Sequence, residues 1–425
     1  MTSVSIRAAA QVLRPPEDGL PYLRHDRAGE LTLEPGDVLL EDGRIAGFEA
    51  GDADLVVDAA GCAVVPGFVD CHTHLPFAGW RAQEYERKVT GVPYQEIARA
   101  GGGIASSARS LAESSDEDVL AQAETLAREL LQHGTTAFEG KTGYGLSRAG
   151  EARAARLGRE LAARVVQPMR LTGLFAHAVP PGTTADAWMD EAETLARECD
   201  VDALDIFVES VAFDNEHLAR MGAIARDTGR ALRAHVEQFA AHRSVPVALE
   251  WGARSVDHLS CLHPDDVAPL AASDCAAVLL PGAELLGGEH TPPARELADA
   301  GAIGALATDL NPGTSPVASM PVIIGLGVRR YGWSVREALL AATLNAAWVL
   351  GWSHELGSLE SGKRADVLLL DGPAEHVPYR FGHNPVAVAF SAGEPVWVRP
   401  DQAWRLGHEK PLDPASAAAG RRRVP

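Results

Sequence analysis

Five histidines and one aspartate are the residues whose types and spacing suggest chemistry. His72 and His74 stand two apart, directly after the apolar run Phe68–Cys71. Side chains two apart on a strand point to the same face, so both imidazoles can reach one point. The other four residues each follow a short apolar run that is predicted to be a strand: His177, His235, His258 and Asp309.

These nitrogen and oxygen donors predict a divalent metal site. Three or four such ligands with one open position are typical of a hydrolytic zinc centre, in which the ion lowers the pKa of water and polarises a carbonyl. A carboxylate beside the ion, here Asp309, can act as ligand and as proton acceptor. Each residue alone would suit a structural role, so the prediction depends on all six lying at successive strand ends.

An alternation of strands and helices from Pro66 onward must position these side chains. Segments with helical spacing, such as Asp116–His133 and Asp214–Thr228, separate short apolar segments. Repeated units of this kind predict a parallel sheet, and eight strands suit a closed (β/α)8 TIM-type barrel with its chemistry at the carboxyl-terminal rim. The strands are predicted at Phe68–Cys71, Thr135–Glu139, Met169–Ala176, Ala203–Val208, Ala231–Val236, Ser255–Asp257, Ala276–Leu279 and Gly304–Ala307.

An open, doubly wound sheet is the alternative for this α/β pattern. No Gly-x-Gly-x-x-Gly segment opens a helix after a first strand, so dinucleotide binding has little support.

Both ends of the chain have β character. The stretch Leu31–Phe48 contains a hairpin signal, Asp42-Gly43 between two apolar segments, and strands return after the helical stretch Ser334–Leu350. Neither end is large enough to be stable alone, so we expect them to pair into one small β-sandwich. The predicted units are residues 1–65 and 357–425 for the sandwich and tail, and 66–356 for the barrel.

The composition of the 425 residues limits the classes of molecule that the protein is expected to bind. With 38 basic and 58 acidic residues the formal charge is −20, which disfavours nucleic acid and anionic membranes. Five cysteines without paired spacing predict a reducing compartment. We find no leader pattern and no run of membrane-spanning length, and therefore expect a cytoplasmic protein.

Longer motifs around these residues resemble the amidohydrolase superfamily and, within it, the imidazolonepropionase family. A His-x-His pair marks only the superfamily, whereas the Gly-Gly-Gly-Ile, Gly-Tyr-Gly-Leu and Thr-Asp-x-Asn-Pro-Gly segments are more specific. The matching segments span nearly the whole predicted barrel: Pro66–His74, Tyr94–Ile104, Lys141–Leu146, Ala176–Pro180, His235–Gln238, Ser255–Leu259, Leu280–Ala283 and Ala307–Pro316.

The resemblance implies a reaction and a role for each matched residue. Members of that family open the ring of 4-imidazolone-5-propanoate with water, giving N-formimino-L-glutamate in histidine breakdown. They bind one divalent ion, zinc as the first expectation and iron as the second. The implied metal ligands are His72, His74, His235 and Asp309. His258, Asp309 and Gln238 are implied to be catalytic, and the implied substrate contacts are Arg81, Tyr94, Tyr144, His177 and Asn311. A homodimer is expected.

The residues themselves support part of this assignment. A propanoate group needs a cationic anchor, and Arg81 offers a bidentate one, although its charged neighbourhood also suits a surface ion pair. Tyr144 lies between two glycines, where the backbone can approach a ligand closely; ordinary packing explains it equally well. Lys141 could be a bridging carbamate, as in binuclear relatives, but the mononuclear resemblance favours a structural role.

Departures from the family pattern leave other activities open. Trp80 stands where Asp is usual, Val208 where Cys is usual, and the segment after Gln238 lacks a Gly-Gly pair. A deaminase, or a hydrolase of a related carboxylate-bearing heterocycle, is therefore the alternative. A non-catalytic binding protein on the same barrel is a third reading; it predicts lost ligands, and every expected ligand is present.

Overall fold

The computed structural model describes residues 3–92, 96, 102–288 and 290–407. These ranges form an eight-stranded parallel sheet and a separate nine-stranded mixed sheet. The predicted fold class, a (β/α)8 barrel with a β unit from both chain ends, is confirmed. No helix within these ranges combines the length and the apolar character that crossing a membrane requires.

The parallel sheet closes into a barrel. Its strands neighbour each other in chain order, and a bridge between Thr73 and Leu310 joins the two edges. There the Asp309 N–H donates to the carbonyl of His72 at 2.9 Å. All eight predicted strands are present: Phe68–Asp70, Thr135–Lys141, Met169–Ala176, Ala203–Phe207, Ala231–Val236, Ser255–His258, Ala276–Leu279 and Ile303–Leu306.

The first strand is shorter than predicted, with a consequence for the paired histidines. It ends at Asp70, so His72 and His74 lie beyond the strand. They flank Thr73, the residue that pairs with Leu310. Closure of the barrel therefore orients the two imidazoles, where we had expected strand alternation to do so.

Helices cover the outside of the barrel. One stretch predicted to be a single helix, Ser334–Leu350, is two helices, because Thr343 leaves helical geometry (φ −132°, ψ −97°). The Thr343 hydroxyl donates to the Leu339 carbonyl at 2.6 Å. The α-helices are Ala82–Val89, Ile104–Glu113, Asp116–Gln132, Arg148–Arg164, Ala185–Glu198, Asn215–Thr228, Ser244–Glu250, Pro264–Ala272, Pro281–Leu286, Ala294–Asp299, Met320–Tyr331, Val335–Ala341, Leu344–Val349 and His376–Tyr379, with 3-10 turns at His25–Glu30 and Pro400–Arg405.

The mixed sheet joins the two chain ends. Val4–Arg14 pairs along one side with Thr32–Glu41, and its other side is shared between Leu55–Asp58 and Ala63–Pro66. Val367–Leu370 then pairs with Ala63–Pro66, so the C-terminal strands extend the N-terminal sheet. The full set is Val4–Arg14, Thr32–Glu41, Arg44–Gly47, Leu55–Asp58, Ala63–Pro66, Val367–Leu370, Val386–Ser391, Glu394–Val398 and Leu406–Gly407.

Two details of this sheet bear on the sequence predictions. The Asp42-Gly43 hairpin is confirmed: both residues have positive φ, 50° and 77°, as a two-residue turn between twisted strands requires. The predicted sandwich is one hydrogen-bonded sheet that forks at Val4–Arg14. The boundaries 1–65, 66–356 and 357–425 stay a prediction.

A buried histidine ties the N-terminal segment to the barrel. The His25 N–H donates to Ala302 O at 3.1 Å, and the His25 ring accepts the Gly304 N–H through Nδ1 at 3.2 Å. Burial, opposed by the carboxylate of Glu337, lowers the pKa of His25 to about 4. The ring is therefore neutral at pH 7, and protonation would break its bond to Gly304.

Acid should weaken this connection. Between pH 6.5 and 4 the unfolded chain binds a proton at residue 25 that the folded chain does not, so stability falls as pH falls. From pH 7 to pH 5 the wild type should lose about 2 kcal/mol more than His25→Asn, which keeps an acceptor but cannot titrate. Urea unfolding of both proteins at the two pH values measures the difference, and equal losses would show that His25 does not contribute.

Candidate active site and metal centre

Four predicted ligands converge at the carboxyl-terminal rim of the barrel. Ligand atoms of His72, His74 and His235 all lie within 4.8 Å of one another. Asp309 Oδ1 lies 3.5 Å from His72 Nε2 and 3.2 Å from His74 Nε2. All four side chains are at most 4% exposed. Residues that follow the first and eighth strands thus meet a residue of the fifth strand at one buried point.

The polar atoms at this point suit a divalent cation. Among the described residues, three buried atoms here have no hydrogen-bond partner: His72 Nε2, His235 Nε2 and Asp309 Oδ1. Leaving such atoms unsatisfied costs roughly 1–3 kcal/mol each. Imidazole nitrogens and a carboxylate oxygen are the donors that zinc and related ions take, so the residues present fit a metal ion.

Two carboxylates orient two of these histidines from behind. Asp257 Oδ2 lies 2.7 Å from His72 Nδ1, and Asp205 Oδ1 lies 3.1 Å from His235 Nδ1. A carboxylate at Nδ1 favours the tautomer with its proton there, which leaves the Nε2 lone pair for a metal. Burial, and then the charge of Lys141, holds the pKa of His72 well below its usual range, so the ring is neutral, as a ligand must be.

Both carboxylates belong to a buried ion network. The Lys141 ammonium lies 2.7 Å from Asp205 Oδ2 and 3.0 Å from Glu139 Oε2. The Arg233 guanidinium lies 3.2 Å from Asp257 Oδ2 and also contacts Glu139. All five side chains are at most 1% exposed. This supports the structural reading of Lys141, whose nitrogen is held by two carboxylates.

The charges of this region also suit a divalent ion. Two cations against three carboxylates leave this network at −1, and the carboxyl group of Asp309 lies beside it. Uncompensated buried charge is costly.

Sequence reasoning missed Glu139, Asp205, Arg233 and Asp257 as members of the site. Their signal was a charged residue inside a strand predicted to be fully buried, where such residues are rare unless paired.

His177 and His258 lie beside the ligands. The His177 ring is stacked against His74 with centroids 5.4 Å apart, and its Nδ1 lies 3.0 Å from Gly143 O. The His258 ring lies 5.4 Å from that of His235. His258 and Asp309 have positive φ, 79° and 52°. Such geometry costs of order 1–3 kcal/mol at a non-glycine residue and is concentrated at functional sites.

The loop that carries Tyr144 is held by a buried carboxylate. Glu151 accepts three backbone N–H groups, those of Gly143 at 3.0 Å, Gly145 at 2.6 Å and Leu146 at 3.1 Å. Tyr144 is 4% exposed, and its ring lies 5.8 Å from His74 and 5.4 Å from His177. The structure thus brings Tyr144 to the metal histidines, as a substrate contact would require.

Arg81 reaches the same rim from the start of the helix Ala82–Val89. Its side chain is 11% exposed and lies 3.7 Å from Glu84, yet its Nε and Nη1 are buried without a hydrogen-bond partner among the described residues. The pKa of His74 is held well below its usual range, first by burial and then by positive neighbours, of which Arg81 is one. A guanidinium in this state can still bind an anion.

Asn311 and Gln238 show fewer links to the centre than the residues above. The side chain of Asn311 is hydrogen-bonded within its own turn, donating to Asp309 O at 2.7 Å and accepting from Gly313 N at 2.9 Å. Gln238 follows the fifth strand and is half-buried. Tyr94 lies outside the described residues. The substrate roles of these three residues stay predictions.

Comparison with known proteins identifies the family. Residues 63–398 match the model of the amidohydrolase family, and the chain belongs to that family. It is 43% identical to an imidazolonepropionase from Rubrobacter xylanophilus over 364 residues, 84% of this chain and 86% of that protein. It is 39% identical to one from Methylobacterium nodulans over 391 residues, 88% of this chain and 97% of that protein.

Solved structures agree on the fold. A triazine hydrolase variant superposes with a TM-score of 0.72 at 17% identity, over 93% of this chain and 95% of that one. An adenosine deaminase from Xanthomonas campestris with bound zinc superposes with a TM-score of 0.67 at 18% identity, over 99% and 97%. At these identities the likeness concerns the fold, the barrel with its β unit, and gives no information about the substrate.

Removing a ligand should remove the metal. His235→Ala deletes an unsatisfied nitrogen donor and should weaken metal binding by more than about 10²-fold, since loss of an orienting partner alone costs 10–100-fold. Metal content after dialysis, measured by elemental analysis, tests this. His354→Ala, the same change at an exposed histidine, is the control. A His235→Ala protein with the wild-type metal content would contradict the ligand assignment.

Proposed function

We propose that this chain is an imidazolonepropionase, which hydrolyses the cyclic amide of 4-imidazolone-5-propanoate to N-formimino-L-glutamate in histidine breakdown. The family membership and the relatives at 43% and 39% identity support the reaction class. The observation in this structure that supports the substrate is Arg81 at the rim of the metal centre. Its side chain is 11% exposed, and its Nε and Nη1 have no hydrogen-bond partner among the described residues. The carboxylate of a propanoate group could accept a hydrogen bond from either of them.

The proposed metal ligands are His72, His74, His235 and Asp309, which would hold one divalent ion, zinc first and iron second. When bound, such an ion activates water and polarises the amide carbonyl. The convergence of these four side chains on one point supports a single ion. In this arrangement Lys141 takes no part as a bridging ligand.

The protein groups around the centre handle substrate and protons. We propose that Arg81 binds the carboxylate, while Tyr144 and His177 contact the ring, with Tyr94, Asn311 and Gln238 as further predicted contacts. Water adds to the ring carbonyl carbon, the ring C–N bond breaks, and the leaving nitrogen takes a proton. Asp309 accepts the proton of the attacking water, and His258 donates a hydrogen bond to the oxygen that gains charge.

The setting proposed for the enzyme is a homodimer in the cytoplasm that binds neither nucleic acid nor membrane. All five cysteines are free thiols, which supports a reducing compartment. The net charge of −20 supports the exclusion of anionic partners.

Replacing the anchor should weaken substrate binding specifically. Losing one member of a buried, hydrogen-bonded charge pair costs about 2–5 kcal/mol, so Arg81→Leu should lower kcat/KM for 4-imidazolone-5-propanoate by about 30-fold or more with unchanged metal content. Steady-state kinetics measure this. Arg87→Leu, on the same helix and half-buried, is the matched control. Unchanged kinetics in Arg81→Leu would mean that the carboxylate is held elsewhere or that the substrate has none.

Separate variants should distinguish the roles of His258 and Asp309. His258→Ala removes one donor near the reacting oxygen and should lower kcat by about 10²–10³-fold while the metal and KM are retained. Asp309→Ala should lose metal as well as rate. If His258→Ala instead loses its metal, His258 is a ligand and the assignment of His235 must be reopened.

A further inference from the structure

We propose that Gly313 is a positioning residue that sets where the Arg81 guanidinium stands, and that the turn 311–314 thereby couples the carboxylate anchor to Asp309. This inference rests on the proposed function for its catalytic consequence. Its geometric content, that residue 313 determines the location of the guanidinium, is independent of the substrate.

The central observation is the distance between Arg81 and the backbone of residue 313. A Cβ added to Gly313 would lie 1.5 Å from Arg81 Nη2, 2.0 Å from Cζ and 2.2 Å from Nε. The guanidinium therefore packs against the Gly313 backbone in the space that any other side chain would fill. Ordinary contact begins at 3.4 Å, so an alanine here would displace the guanidinium by about 2 Å.

The reason for this glycine is steric rather than conformational. Gly313 is absent from the residues with positive φ, so an alanine could adopt its backbone geometry. The neighbour that must yield is the far end of an arginine side chain, which can move at little cost to the fold. The change should therefore affect the position of the anchor far more than stability.

The turn itself is held firmly. Asn311 Oδ1 accepts the N–H groups of Gly313 at 2.9 Å and Thr314 at 2.7 Å, and Asn311 Nδ2 donates to Asp309 O at 2.7 Å. The Arg81 N–H in turn donates to Pro312 O at 2.8 Å. One short turn thus touches the proposed metal ligand at one end and both the backbone and the guanidinium of Arg81 at the other.

The contact with Gly313 uses none of the Arg81 donors, whereas a polar neighbour would occupy donors that a carboxylate needs. Among the described residues, Nε and Nη1 of Arg81 have no hydrogen-bond partner, although Glu84 lies 3.7 Å from Nε. The anchor is thereby preorganised at a set distance from the metal ligands, which reduces the cost of ordering it when substrate binds.

A double-mutant cycle with Arg81→Leu tests the coupling. Gly313→Ala in the otherwise wild-type enzyme should lower kcat/KM for 4-imidazolone-5-propanoate by about 10²-fold, as a misplacement of 1 Å or more can do, chiefly through KM. In the Arg81→Leu background the same change should alter kcat/KM by less than about twofold, because the group it displaces is gone. An equal loss in both backgrounds would overturn the proposal.

Two controls exclude a general effect of the substitution. Metal content and Tm of Gly313→Ala should match the wild type, and a fall in either would point to the fold or the ligands instead. Gly47→Ala, at a glycine whose added Cβ would meet nothing within 4 Å, is the matched change and should leave kinetics unaltered. Binding of imidazole-4-propanoate, followed by calorimetry, should weaken in Gly313→Ala in parallel with the rise in KM.

The outcomes separate this inference from the proposed function. A wild-type protein that neither hydrolyses 4-imidazolone-5-propanoate nor binds imidazole-4-propanoate would contradict the proposed function. The crystal structure of Gly313→Ala would then still decide the inference. A guanidinium displaced by about 2 Å over an unchanged turn supports it, and an unmoved guanidinium over a shifted turn refutes it.

Discussion

The need to neutralise charge inside the barrel is the constraint on which the rest of this structure depends. Glu139, Asp205 and Asp257 lie on the second, fourth and sixth strands of the barrel with no access to solvent, and two buried cations balance only part of their charge. Charged groups persist in such a place only when each has partners. Lys141 and Arg233 supply those partners between strands that are distant in the sequence. The stability of the barrel interior and the orientation of the metal histidines therefore arise from the same contacts.

The same network determines which atoms face the rim. Asp205 and Asp257 use the Nδ1 sides of His235 and His72, so the Nε2 sides remain for an ion. Positive φ at His258 and Asp309 then turns two further side chains toward the same point. The barrel can maintain this strained backbone because the strands below are buried, which is the usual relation between a strained site and a stable scaffold.

The predicted substrate contacts lie in a different part of the molecule from the predicted metal ligands. Arg81 and Tyr144 come from loops outside the barrel strands, and each loop is held by hydrogen bonds to a neighbouring segment, the turn 311–314 in one case and Glu151 in the other. Loops can vary while strands are conserved in geometry. This division accounts for solved structures that share the fold at 17–18% identity and have different names.

The sequence by itself determined the barrel, its eight strands, the β unit from both ends and the histidines at the rim, because apolar periodicity and the residues at strand ends are local properties. It did not reveal the partners of Lys141 and Arg233, the fork of the mixed sheet at Val4–Arg14 or the contact between Arg81 and Gly313. These depend on pairs such as His72 and Asp257, 185 residues apart, which only closure of the barrel brings together. The strand pattern predicts that each of these residues is buried. The tertiary structure decides which neighbour it contacts.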